Sequence, residues 1–145
     1  MEEKRRLSDE NTLNVLVVDG QGGMLGKQMV EAVRKMIPYA EITAIGTNSM
    51  ATANMLKAGA DNGATGENSV IVAVRDADII VGPIGIVIAD SLLGEITPKM
   101  AAAIGSSSAK KVLLPVNKCS NIIVGVGNKS TSLLIEEAIE TIREI

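Results

Sequence analysis

Histidine, tryptophan and phenylalanine are missing from the chain altogether, and tyrosine and cysteine occur once each, at Tyr39 and Cys119. Each absence excludes a class of function. Without histidine there is no His/Cys metal site and no Ser-His-Asp or Cys-His catalysis, and no metal is expected. A single cysteine closes no internal disulfide and suits a reducing cytosol. With 1% aromatic residues there is no stacking platform for bases, and Lys4-Arg5-Arg6 is the densest basic run in a chain of net charge −3. Nucleic acid is therefore not an expected partner. Long apolar runs are missing too. The most apolar window, residues 79–93, is interrupted by Gly82, Pro83, Gly85 and Asp90, which is too broken to span a bilayer. The start, Met1-Glu-Glu-Lys-Arg-Arg, leads into polar residues rather than the apolar stretch of a signal peptide. The expectation is a cytoplasmic protein without a membrane partner.

What remains is aliphatic. The chain has 145 residues, 46% of them hydrophobic and 21% charged. That is enough for one globular domain, with a core of Val, Ile, Leu, Ala and Met. Residues 1–11 read as a flexible charged tail and residues 12–145 as the domain. Residues 13–19 are a short β-branched run of buried-strand type. Leu25, Met29, Val30, Val33, Met36 and Ile37 then recur at helical spacing, and Pro38 ends that helix. The spacing predicts further strands at 41–46, 61–65, 78–81, 111–116 and 121–126. It predicts helices at 49–58, 66–75 and about 86–93, then one from Pro98 to Gly105 capped by Thr97, and a last one built on Leu134, Ile135, Ala138, Ile139, Ile142 and Ile145. Strands and helices alternate, so the expected fold class is α/β: one Rossmann-like domain, a mostly parallel sheet with helices on both faces.

Candidate chemistry gathers where strands end. "VDGQGGMLGK" supplies Asp19, Gly20, Gln21, Gly22, Gly23 and Gly26 immediately after the first strand. Glycines there turn tightly, let a phosphate approach, and let the helix sit close to the sheet; free N–H groups at the helix start attract anions. The spacing G-x-G-x-x-x-G is one residue longer than the dinucleotide fingerprint. The run also fails as a P-loop, because Lys27 is followed by Gln28 and not by a hydroxyl residue. Asp19 opposes an anion, and the second strand ends in neutral Thr47, Asn48 and Ser49 where a ribose-binding acid is expected. That hydroxyl-rich end suits a phosphorylated ribose, or no ribose. Two readings stand: a nucleotide cradle with NAD(P) as ligand, or a plain strand-to-helix turn. Gly82, Pro83, Ile84 and Gly85 offer bare backbone to a ring or form an ordinary turn. Asn117, in the run Asn117 to Asn121, belongs to a substrate loop or a solvated one. Asp61 and Glu67 flank a polar loop suited to a sugar or cation, or to solvent alone. Glu95, just before a helix start, is favourable there for structural reasons.

The phrases "VLVVDGQGGMLGKQ", "AIGTNSMATANMLKAGADNGATGEN", "ADIIVGPIGIVIADSLLGEITPKMAAAIG" and "KKVLLPVNKC" resemble a group of short bacterial proteins catalogued as a domain of unknown function. The resemblance spans roughly residues 13–126. It implies a bacterial, cytoplasmic Rossmann-like protein and lends no activity. The chain also resembles, more faintly, flavoproteins of the phosphopantothenoylcysteine decarboxylase type. That likeness implies FMN as an alternative ligand and sites completed between subunits, while the catalytic histidine of those proteins has no counterpart here. Ile84, Ile86, Ile88, Leu92, Leu93, Ile96 and Met100 form an apolar cluster that predicts a homodimer built on residues 84–100. The competing class is a non-catalytic sensor or assembly subunit.

Overall fold

In a computed structural model, which describes residues 12–116 and 120–145, the chain forms a five-stranded parallel sheet. The elements run β1 (Leu13–Asp19), α1 (Met24–Met36), β2 (Ala40–Gly46), α2 (Ser49–Lys57), β3 (Asn62–Thr65), α3 (Glu67–Ala73), β4 (Ile79–Pro83), a single 3-10 turn (Ile84–Val87), α4 (Pro98–Gly105), β5 (Lys110–Leu114) and α5 (Thr131–Arg143). The spatial order is β3-β2-β1-β4-β5. Every pairing is parallel, from Leu13 opposite Ala40 to Asp19 opposite Gly46, and Val15 opposite Ile79 on the other side of β1. The expected α/β architecture is present.

Alternation along the strands decides which face each side chain enters. Val15 and Val17 of β1, with Ile42, Ala44, Ile79 and Val81, pack under Met29, Val30 and Val33 of α1 and Leu134, Ala138, Ile139 and Ile142 of α5. Leu16, Val18, Ile45 and Ile80 point the other way, against Val70 of α3 and Met100 and Ile104 of α4. Both faces are covered, which is why the strands read as continuous aliphatic runs. α4 begins as its sequence predicts: the Thr97 hydroxyl accepts from the Met100 N–H, and Pro98 opens the helix. Helix α3 starts one residue later than the expected 66–75, with Gly66 at the cap position and no side-chain cap bond.

Three expectations are corrected. Residues 86–93 do not form a helix. The 3-10 turn gives way to a loop in which Asp90, Leu92, Leu93 and Gly94 have φ of 63°, 54°, 56° and 86°, values no right-handed helix accommodates. No sixth strand forms among the described residues: Gly125 and Gly127 take φ of 88° and 67°, and Ile122 and Val124 are 89% and 93% exposed. An apolar run without a face to pack against does not become a strand. The apolar cluster of residues 84–100 is also mostly spent within the chain. Ile86, Leu92, Ile96 and Met100 are buried in the second core, whereas Leu93 is 97% exposed. Those four side chains cannot build an interface with another copy.

Close approach in the sheet centre generates a test. A Cβ at Gly82 would lie 2.3 Å from the Val18 carbonyl oxygen of the adjacent strand, so Gly82→Ala must push two central strands apart. The expected cost is about 1–3 kcal/mol. At Gly105, the last residue of α4, nothing lies within 4 Å, and Gly105→Ala is expected to add roughly 0.5–1 kcal/mol of stability. Urea unfolding of the two variants checks both signs.

Candidate ligand-binding site

Strand order reverses beside β1, with β2 on one side and β4 on the other. In open α/β sheets the crevice at the carboxyl ends of such strands is where ligands sit. The turn from Asp19 to Met24 occupies that place. Asp19 ends β1 buried, 4% exposed, and its carboxylate lies beneath the turn rather than above it. Oδ1 accepts from the Gly20 N–H at 2.8 Å, and Oδ2 accepts from the Gly26 N–H, in the first turn of α1, at 2.7 Å. The charge that appeared to oppose an anion is thus the internal cap of α1, standing where a Ser or Asp N-cap would otherwise be needed, since Gly23 offers no side chain.

The glycines have separate duties. Gly23 has φ +71° and lies so near α2 that a Cβ would fall 2.6 Å from the Ala51 Cα. Gly26 lets Met55 of α2 close in, its Sδ 2.5 Å from the missing Cβ. Gly20 makes room for Glu95 Oε2 and the Leu92 side chain, at 2.6 and 2.9 Å from that position. Gly22 differs. Its Cβ position meets only Met24 Cγ, at 3.9 Å, and its φ lies outside the left-handed region. Packing explains the bareness of three glycines and leaves the fourth unexplained.

The second strand's end is tied to the same turn. Asn48 caps α2 through the Ala51 N–H and donates to the Gln21 carbonyl at 2.8 Å. Glu95 completes the arrangement. Its Oε2 accepts from the Gln21 N–H and the Thr47 hydroxyl, both at 2.6 Å, and its Oε1 accepts from Asn48 Nδ2 at 3.3 Å. Sequence reading placed Glu95 at the start of α4, but Thr97 does the capping there and Glu95 turns back across the sheet edge. The left-handed loop of residues 90–94 sends it there, pinned by the Asp90 N–H on the Ile96 carbonyl at 2.7 Å and by Ser91 Oγ on the Gly85 carbonyl. Nothing local to Glu95 in the sequence signals these partners, which lie 47, 48 and 74 residues away.

The structure therefore brings Gly20, Gln21, Thr47 and Asn48 together around Glu95, while Gly23 and Gly26 face α2, Asp19 lies between Gly20 and Gly26, Gly22 stands apart, and Ser49 is exposed at the start of α2. Gly82, Pro83 and Gly85 are buried in the end of β4 and the turn after it, and Ile84 is half-buried. They meet the site through Leu92, whose two methyl groups lie near the Cβ positions of Gly20 and Gly85. Asn117 lies outside the described residues, as do Lys118 and Cys119. Asp61 and Glu67 do not converge. Asp61 is held by Arg34 at 2.6 Å and the Ile42 N–H, and Glu67 accepts from the Thr97 hydroxyl. Among the described residues no three His, Cys, Asp or Glu side chains come together as a metal site.

These contacts set the protonation. Burial pushes the Asp19 carboxyl up and prevails over the two N–H bonds that pull it down. For Glu95, burial also pushes upward, but the bonds from Thr47, the Gln21 N–H and Asn48 outweigh it and hold the group below its ordinary range.

Compared with known proteins, the chain matches the family model described as a domain of unknown function, DUF3842, over residues 14–145. The chain belongs to the DUF3842 family. No curated protein matches it. A solved structure similar to this DUF3842 protein is the dodecameric FMN-dependent UbiX-like decarboxylase of Escherichia coli O157:H7. The two are 12% identical with a TM-score of 0.46, over 91% of this chain and 92% of that one. No helix of the described DUF3842 residues is long and apolar enough to cross a membrane.

Two measurements test this description. Asp19→Asn turns one acceptor into a donor facing a backbone N–H, and is expected to cost about 1–3 kcal/mol; Asp19→Ala, which orphans both N–H groups, should cost more. Linkage separates the two acids. An acid whose folded pKa is raised, as for Asp19, stabilises the fold below its unfolded pKa and loses that contribution as pH rises. Glu95 is the reverse: its contribution is present at neutral pH and is lost as pH falls through its depressed folded value. The stability gap between the unaltered chain and Glu95→Gln is therefore expected at neutral pH and should shrink below about pH 4. Urea midpoints across pH read it directly.

Proposed function

We propose that the chain binds a phosphate-bearing nucleotide, with NAD(P) as the leading ligand, in the crevice above β1, β2 and β4. The bare surface at Gly22 carries this reading. The fold has no use for a missing side chain there, whereas a phosphate approaching the start of α1 does. The group would rest on the Gly22 backbone at the positive end of a 13-residue helix, and Asp19, turned inward, leaves the outer side of the turn to it. Thr47, Asn48 and Ser49 form one flank; in the turn of residues 82–85 Gly82, Pro83 and Gly85 are buried and Ile84 is half-buried, so no bare backbone is offered to a ring there. Residues 115–116 and 126–130, with Leu134, border a separate open groove of about 490 Å³.

Thermal-shift measurements with NAD, NADP, FMN, ATP and sugar phosphates test the reading, since a ligand at a hundred times its Kd adds about 2.7 kcal/mol of stability. Gly22→Val locates the site. A Cβ there meets nothing closer than Met24 Cγ at 3.9 Å, so the variant is expected to fold and to lose the shift. A full shift in folded Gly22→Val, or no shift with any of the ligands, would overturn the proposal.

The proposal includes a homo-oligomer. Leu93, Ile122 and Val124 remain almost fully exposed, and a second copy is the simplest cover for them. Light scattering at micromolar concentrations should report more than one 15.1 kDa chain.

A further inference from the structure

A ribose-reading acid conventionally stands at the end of the second strand, where its two oxygens accept the sugar's vicinal hydroxyls. Here that end is Gly46-Thr47-Asn48-Ser49, without an acid. Yet a carboxylate is present in space. Glu95 lies against Thr47 and Asn48 from a segment 47 or more residues further along the chain, and it also accepts from the Gln21 N–H inside the glycine turn. Three donors from two loops fix its position before any ligand arrives. The loop that delivers it holds Leu92 and Leu93 in left-handed conformations that residues with a Cβ rarely adopt. Strain of that kind persists only where surrounding contacts enforce it. The contacts here are those of Glu95, of Ser91 with Gly85, and of buried Leu92.

We propose that Glu95 is the specificity residue for the ligand's sugar: its carboxylate accepts the hydroxyls of an unphosphorylated ribose and turns away a ribose carrying a 2′-phosphate. This rests on the nucleotide reading above and narrows it from NAD(P) to NAD. Of the two oxygens, Oε2 is saturated by short bonds from Gln21 and Thr47, while Oε1 has only the 3.3 Å contact with Asn48 and retains acceptor capacity for a hydroxyl. A 2′-phosphate would bring a second negative charge to an ionised carboxylate. It would find no cation at the strand end either, because residues 44–56 contain no Lys or Arg. The neutral, hydroxyl-rich sequence that suited a phosphorylated ribose thus takes the opposite preference once Glu95 is in place.

The chain has no Trp, so the fluorescence of bound reduced nicotinamide is easily read against it. Titration of the full chain with NADH and with NADPH is expected to show NADH binding about tenfold or more tightly. In Glu95→Gln the ratio should fall toward one, because the repulsion goes and the acceptor weakens. Thr47→Val, which removes the hydroxyl that orients Glu95 without touching its charge, should weaken NADH while NADPH stays excluded. A merely structural Glu95 would change both affinities together and leave the ratio alone. That result, or NADPH binding the unaltered chain as tightly as NADH, overturns the assignment and leaves the nucleotide reading standing. Binding of FMN or ATP with neither nicotinamide nucleotide bound does the same. Failure of every nucleotide to bind overturns both.

Discussion

One buried carboxylate holds the carboxyl edge of the sheet in shape. Asp19 grips the N–H of the residue after it and the N–H of Gly26, seven positions on, so the turn between them is a closed ring rather than a loop. Burying a carboxylate is expensive unless its oxygens are satisfied, and two backbone donors with the end of a helix dipole are what the site supplies. Everything above the ring inherits its position. The helix start is fixed, the Gln21 N–H is turned toward Glu95, and Gly22 is left at the crest.

The arrangement separates two jobs that a glycine-rich turn usually combines. Packing requires Gly20, Gly23 and Gly26, each against a named neighbour on the loop before α4 or on α2. Gly22 has no such neighbour. A count of glycines says nothing of this division, because spacing does not reveal which missing side chain is filled by the protein and which is left open to solvent or ligand.

That limit marks how far the sequence could be read. The parallel sheet was legible because each of β1, β2 and β4 is a short aliphatic run bounded by turn residues, and α4 because Thr97-Pro98 is an unambiguous start. The strand expected at 121–126 was misread for the same reason that β1 was read correctly: local composition reports β-propensity but not whether a face is waiting to receive it. The helix expected at 86–93 failed because the contacts of Ser91, Leu92 and Glu95 impose left-handed backbone on leucines, a tertiary effect without a local signature. Asp19 was seen and its direction was not. From sequence it stood beside an anion; in space it lies below the turn. Glu95 was weighed for its place just before the helix capped by Thr97, while its partners were 47, 48 and 74 residues away.

The strand order also shapes how the chain assembles. β1, α1, β2, α2 and β3 are neighbours in sequence and pair in succession, so this half of the sheet closes through local contacts. The other half must dock β4 onto the open side of β1, across more than sixty residues of chain, a step of higher contact order and slower search. In a chain in which that docking has not occurred, β1 would present an unpaired edge of apolar residues, the kind of surface on which partly folded chains aggregate. Glu95 arrives only with that second half. The constellation around the turn therefore does not exist in the half-built molecule, and any ligand that needs it captures only chains whose sheet is complete.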